Sequence, residues 1–398
     1  MSDINLNKIT LPPIWMLVFF YGFASFASVL LAPSLPDITQ RFHVSPAQAQ
    51  WVMSVFLIGY AFAPILFGPI SNHYGRKPTA LAGILISLGG CLIQYWAFIS
   101  LDFNLLVWGR LINAFGAASG LVLGMTMVSD SYQGNQSRRV MAMLTLMQAF
   151  FPGAAIFIGG SLSYWFGLKS LFYFLLGFNV VVLIFISLFK ETLPLEQHQK
   201  IHIFRILKGY YHEFKRPQYL SYVSLVCVAS ASINIFNSFA PIVTEQYTQI
   251  NSQSFGVLSL ITSSGLILGA LIVSKLSHKY NARLFLCWGM ALIMAASALL
   301  LIIFYVGIIN IYSIFTPAFF LFLGVAFVLP NGSMSALSGS SSSALASGML
   351  LFMSLLTGAA TIYISGGYIE DHILTLPITL LILCATGATF YLFTRNCE

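Results

Sequence analysis

Long apolar runs separated by short polar breaks set the pattern of this 398-residue chain. A helix needs ~20 apolar residues to cross the hydrocarbon core of a bilayer. By that ruler twelve spans are predicted, at 14–35, 46–70, 78–99, 104–129, 140–164, 169–189, 218–240, 252–275, 283–306, 310–330, 344–365 and 373–394. Several hold an internal proline (Pro33, Pro64, Pro152, Pro317), which membrane helices tolerate better than soluble ones do. The second span has a strong start signal: Ser45 to cap, Pro46 at the first helical position and Gln48 to complete a capping box. Of the polar breaks, Gly68–Pro78 (GPISNHYGRKP) is the most informative. It is basic and bracketed by glycine, and the stretches on either side, Ser45–Phe67 and Thr79–Leu101, carry no charge.

Composition agrees with a lipid solvent. The chain is 58% hydrophobic and 7% charged, against roughly 25% charged for a soluble domain. The net charge of +7 would suit nucleic acid, but its placement follows membrane topology instead. With the N-terminus inside, Lys and Arg collect in the inner segments; Arg41 and Lys169 fall outside and Arg110 lies within a span. The first apolar run is too long for a signal-peptide core and is expected to be retained. Cys91, Cys227, Cys287 and Cys384 sit in apolar runs and Cys397 at the tail, so they read as core hydrophobes with no metal-ligand spacing.

The pattern therefore predicts an all-α integral membrane protein of twelve helices in two six-helix bundles, 1–189 and 218–398. Both termini would be cytoplasmic, and 190–217 would form a cytoplasmic linker. The linker has an amphipathic patch at Ile203, Phe204, Ile206 and Leu207, suited to lying along the membrane surface. Ser338–Ser343 reads as a flexible inner turn. Ser71, Tyr74 and Lys77 correspond, at an offset of 206, to Ser277, Tyr280 and Arg283. This is a weak internal repeat of the kind found in transporters.

Gly68, Asn72, His73, Gly75, Arg76 and Lys77 together resemble the loop signature of the major facilitator superfamily. Ala32-Pro33-Ser34-Leu35-Pro36, Glu191-Thr192-Leu193-Pro194, Pro330-Asn331 and Gly159-Gly160 with Tyr164-Trp165-Phe166-Gly167 are similar to its Bcr/CflA-like branch, related to bicyclomycin and chloramphenicol resistance. The resemblance covers nearly the whole chain and implies an alternating-access exporter in a bacterial inner membrane. It implies that Arg76 pairs with Asp130 in an inner gate that holds the outward-open state. Arg110, in Arg110-Leu-Ile-Asn113-Ala-Phe-Gly116, matches an arginine implicated in proton coupling. Pro152, Gly159 and Gly160 match a helix-packing antiporter region. Three positions depart from the pattern. Asn72 replaces an aspartate, Ile156 replaces a proline, and no acid lies between Asp3 and Asp37, where related exporters place one near Val29.

Physical reasoning assigns similar roles. Gly68 would allow close approach of a neighbouring helix, and Gly75 a turn that other residues resist. A charge within a span is costly and marks a functional site by default, so Arg110 reads as a coupling group or a substrate counter-charge. Snorkelling to the interface is its alternative. Tyr21, Tyr60, Asn113, Gln148, Phe150, Asn234, Phe236, Asn237 and Thr262, with Ser263 and Ser264, are expected to line a largely apolar cavity with a few hydrogen-bonding groups.

The expected function is secondary export of drug-like amphipathic molecules, neutral, zwitterionic or anionic, as a monomer, with no cofactor beyond a proton gradient. The alternatives are a dedicated metabolite or siderophore exporter and a facilitator without proton coupling. A multi-span enzyme is disfavoured, since the loop acids and histidines form no acid/base or metal-binding cluster. No phosphate-cradling GxxxxGK[ST] loop is present.

Overall fold

Apolar length dictates the architecture. A computed structural model describes residues 12–193, 203–338, 340, 343–368 and 373–395, and the described residues are helical almost throughout. In chain order the spans are one, Ile14–Phe42; two, Pro46–Tyr74; three, Arg76–Ser100; four, Phe103–Ser131; five, Gly134–Phe166; and six, Lys169–Leu188. After a linker helix, Ile203–Phe214, come seven, Pro217–Thr248; eight, Ser252–Leu276; nine, Ala282–Val306; ten, Ile311–Leu337; eleven, Ser343–Gly366; and twelve, Thr375–Arg395. Eleven are long and apolar enough to cross a membrane, and span five contributes a shorter apolar stretch, Phe150–Phe166. Lys8, Lys200, the linker stretch 194–202, Gly339, Ser341, Ser342, Cys397 and the acids Asp3, Glu196, Glu370, Asp371 and Glu398 lie outside the described residues.

The helices outrun their apolar cores because backbone hydrogen bonding continues until something stops it. Span seven, predicted to end at 240, continues to Thr248 and stops where Gln249 turns left-handed at φ 53°. Span one departs from the prediction in the other sense. It is not continuous but comprises an α-helix, Ile14–Val29, a 3-10 turn, Ala32–Ser34, and a second α-helix, Leu35–Phe42. Pro33 has no N–H to close on the Val29 carbonyl. Span two begins with the capping box of Ser45 and Gln48, breaks at Gln50 and resumes over Trp51–Tyr74.

Burial separates central from peripheral helices. The most apolar windows of spans one, four and seven are 67% buried and that of span ten 61%. Those of spans three, six, nine and twelve are 33–39% buried and present their remaining surface to lipid. The repeat extends to packing, with Gly83 and Gly289 related by the offset of 206 and Gly116 and Gly324 by 208. A side chain at Gly83 would come within 3.2 Å of the Gly116 carbonyl oxygen, and one at Gly289 within 2.7 Å of that of Gly324. Spans three and four thus meet through the same device as spans nine and ten, small residues that let backbones touch. Cys91, Cys227 and Cys384 are buried, but Cys287 is exposed, because it lies on the outward face of a peripheral helix.

The linker helix docks on the second half. Leu345 of span eleven approaches Gly209. Arg216 donates to the Glu213 carboxylate at 2.7 Å and to the Ser338 carbonyl at 3.2 Å, tying the linker to the end of span ten.

Candidate functional site

The break between spans two and three builds a charged network around Arg76. Span two stops at Gly75, whose φ of 98° suits a residue without a side chain, and span three starts at once with Arg76. The Arg76 guanidinium, 7% exposed, donates to Asp130 Oδ2 (2.8 Å), Ser71 Oγ (2.8 Å) and Asn72 Oδ1 (2.6 Å). Asn72 thus takes part as a neutral acceptor where the family pattern has a charge. Glu191 completes the network and was not singled out from the sequence as a gate residue. Its carboxylate accepts from the backbone N–H groups of Arg76 (2.8 Å), Lys77 (3.1 Å), Thr192 (2.9 Å) and Leu193 (2.9 Å). An anion there satisfies the unpaired N–H groups and the positive dipole end of span three. The only sequence signal for it was the Glu-Thr-Leu-Pro motif. Lys77 Nζ donates to the Ser187 carbonyl at 2.7 Å. Just past span four, Tyr132 donates to the Pro12 carbonyl at 2.7 Å, and burial holds its phenol above the ordinary value. Gly68 does not serve the close approach expected of it. The space where its side chain would project is open, and the tight contact on span two falls at Gly59, against the Leu111 carbonyl of span four.

Arg110 answers the break in span one. It is fully buried and donates through Nε to the Val52 carbonyl (3.2 Å), Nη1 to Ala27 (3.0 Å) and Nη2 to Ser28 (3.1 Å). The Phe56 ring lies 4.2 Å from its Cζ. Ala27 and Ser28 are among the last residues of the first helical segment, whose carbonyls lack intrahelical partners. In a lipid environment such groups must be satisfied by protein. The guanidinium therefore neither snorkels nor faces a solute in this conformation, contrary to the expectation of an accessible counter-charge. It bonds to backbone carbonyls, with no carboxylate among the partners found.

The two halves meet along small residues. A side chain at Gly160 of span five would lie 2.2 Å from the Ser252 carbonyl of span eight, and one at Gly153, beside Pro152, 2.3 Å from Ser263 Oγ. Gly159 instead packs within the first half, on the Leu30 carbonyl in the span-one break. At the same end, Gln50 Nε2 donates to the Ser238 carbonyl at 2.9 Å and Ser238 Oγ donates back to Gln50 Oε1. Both residues are fully buried, so this reciprocal pair is a dry contact between halves.

The expected cavity residues divide. Tyr21 donates to Gln148 Oε1 at 2.5 Å, and the Tyr60 hydroxyl lies 3.4 Å from that of Ser25. These pairs bring spans one, two and five together near mid-membrane. Asn234 of span seven and Leu57 of span two both pack around Gly358 of span eleven, so Asn234 lies at the junction of the halves. Phe150 is exposed. Others are inside the bundles. Asn113 is buried between spans three and four, donating to Ser87 Oγ (2.8 Å) and Cys91 Sγ (3.1 Å). Phe236 packs on Phe315 and Phe322, and Asn237 and Thr262 are buried. Helical pattern alone does not say which polar face turns to a neighbour and which to a cavity.

The family model of the Major Facilitator Superfamily matches residues 14–362. The chain belongs to the Major Facilitator Superfamily. It is a multi-pass membrane protein of a transporter family. Among superfamily relatives, it is 22% identical over 324 residues to multidrug resistance protein D of Escherichia coli, covering 81% of this chain and 80% of the relative. It is 24% identical over 253 residues to a bicyclomycin resistance protein homolog of Haemophilus influenzae, covering 63% of each. The chain spans 66% and 44% of the length of two further curated transporters. The crystal structure of a D-xylose–proton symporter superposes with a TM-score of 0.77 at 11% identity, covering 95% of this chain and 97% of that one. That similarity establishes the shared superfamily fold.

Proposed function

We propose that this transporter exports neutral, amphipathic, drug-like molecules across a bacterial inner membrane, by alternating access between bundles 1–189 and 218–398. The Arg76 end is cytoplasmic, as are both termini and the linker 190–217, by the placement of Lys and Arg. The observation that carries the reading is the closure of the Gln50 end. Gln50–Ser238 and the Gly160–Ser252 approach join the halves at one end. The Arg76–Asp130 pair joins helices of the first half alone. The pair is formed although the opposite end is shut, so it does not by itself mark the outward-open state expected of it, and the shut Gln50 end fits a conformation accessible from the cytoplasm. Breaking and remaking the dry Gln50–Ser238 pair would alternate with closure at the Arg76 end.

The substrate class follows from what the mid-membrane junction offers. Gln148 and Asn234, both partly exposed, supply neutral hydrogen-bonding groups beside the buried Tyr21, Ser25 and Tyr60, while Arg110 is committed to backbone carbonyls. A neutral solute needs no buried counter-charge. Names of relatives such as multidrug resistance protein D and the bicyclomycin resistance homolog support drug-like cargo. Transport in proteoliposomes tests the reading: uptake of a neutral phenicol is expected to exceed that of a permanently cationic dye. Strong, pH-driven transport of the cation would overturn it. A second reading, facilitated passage without proton coupling, is favoured by the lack of mid-span acids in the sequence. An imposed pH gradient that leaves phenicol flux unchanged would establish it.

A further inference from the structure

At the Gln50 end, a cavity of about 390 Å3 lies across the junction of the halves. Span one contributes Asp37 and Gln40, span five Ser163 and Tyr164, span seven Glu245, and span eight Ser252. Two carboxylates, one from each half, therefore share one space. Asp37 Oδ2 accepts from Ser163 Oγ at 2.8 Å, within the first half. Glu245 Oε1 accepts from Gln40 Nε2 at 3.4 Å, across the junction. Glu245 also lines an adjoining cavity of about 780 Å3 on its other side.

Among the described residues, no Lys, Arg or His lines either cavity; Tyr164 is the remaining titratable group there. Among the described residues, the Arg and Lys at this end are engaged elsewhere. Arg41, on span one, stacks on Phe98 of span three at 5.1 Å. Lys169, at the start of span six, lies over the rings of Tyr95 and Tyr173 at 5.8 and 5.2 Å. His43, in the turn after span one, and Tyr247, on span seven, are exposed. The lining residues of span eight carry no charge. Closing this end thus brings two like charges together with neutral hydrogen-bond partners and, among the described residues, no lining cation. Such an arrangement favours protonation of one carboxyl, and a protonated carboxyl can then donate a hydrogen bond where the ionised one only accepts.

We infer that Asp37 and Glu245 form a proton-binding latch, in which uptake of a proton from the solution bathing the Gln50 end favours closure of that end. The inference rests on the alternating-access reading and adds to it a site for the proton, carried by residues outside the Arg76 network and away from Arg110. External acid would hold the transporter shut to the outside, and external alkali would release it. The sign follows from linkage: the closed state binds more protons than the open state, so falling pH favours closure.

The test is a distance measurement between spin labels at Asn104 and Tyr312, exposed positions in opposite halves near this end. The full-length chain would be used in lipid nanodiscs, with Cys287→Ser and Cys397→Ser, from pH 8.5 to 5. The expected result is two distance populations whose closed-to-open ratio rises as pH falls, by up to about ten-fold per pH unit, the slope of one linked proton. Asp37→Asn and Glu245→Gln keep side-chain shape. Each should flatten the response and favour the closed distance already at pH 8.5. Two populations whose ratio ignores pH, or an undiminished pH response in the double variant, would overturn the latch and leave alternating access standing. One invariant distance at every pH, with and without phenicol, would overturn both.

Discussion

Replacing Arg110 by methionine isolates what the buried charge does. The substitution keeps much of the side-chain length and removes all three donations to the Ala27, Ser28 and Val52 carbonyls. Those groups lie where Arg110 is 0% exposed, so water does not replace the lost partner. An orphaned buried carbonyl costs about 1–3 kcal/mol, and losing the guanidinium from the Phe56 face about 0.5–2 kcal/mol. Removing a buried charge returns part of its desolvation cost. The net destabilisation is therefore roughly 2–5 kcal/mol, concentrated at the break in span one. The assay is thermal unfolding in detergent, combined with hydrogen exchange of peptides spanning residues 27–36. A melting temperature lower by several degrees is expected, with faster exchange at the break. Arg110→Lys should recover only part of the loss, because one ammonium cannot reproduce the planar fork that reaches two helices. Unchanged melting and exchange in Arg110→Met would refute the assignment of Arg110 as a clasp. Lost transport with intact stability would instead return it to a role in coupling.

Arg76→Met should destabilise the first half by roughly 2–4 kcal/mol, since it strands the partly buried Asp130, while Asp130→Asn, which keeps the shape, should cost less; melting temperatures in detergent give the order. Glu191→Gln should lower stability by about 0.5–2 kcal/mol by removing the negative charge that faces four backbone N–H groups, read from the same melting curves. Gly160→Val should force spans five and eight apart by about 1 Å, because the first added carbon would lie 2.2 Å from the Ser252 carbonyl. Spin-label distances across the Gln50 end should lengthen, and a distribution identical to that of the unsubstituted chain would show that the seam is not what brings the halves together.

The lipid solvent, the spans and the turn that carries Arg76 were legible in the sequence alone. Apolar length and the placement of Lys and Arg are one-dimensional properties, set by bilayer thickness and by the cost of moving charge across it. The turn at Gly75 was equally legible, because the need for a positive φ selects glycine locally. Spatial assignments needed the tertiary structure. Arg110 and the Pro33 break lie in different helices, and only packing shows that one satisfies the carbonyls freed by the other. Glu191 is remote in sequence from Arg76 but sits at the N-terminus of its helix. Asn113, Asn237 and Thr262 share the polarity of Gln148 and Asn234, yet are buried within the bundles. A polar side chain in a membrane helix needs a partner, and whether a neighbouring helix or a solute supplies it is decided by which faces meet in three dimensions.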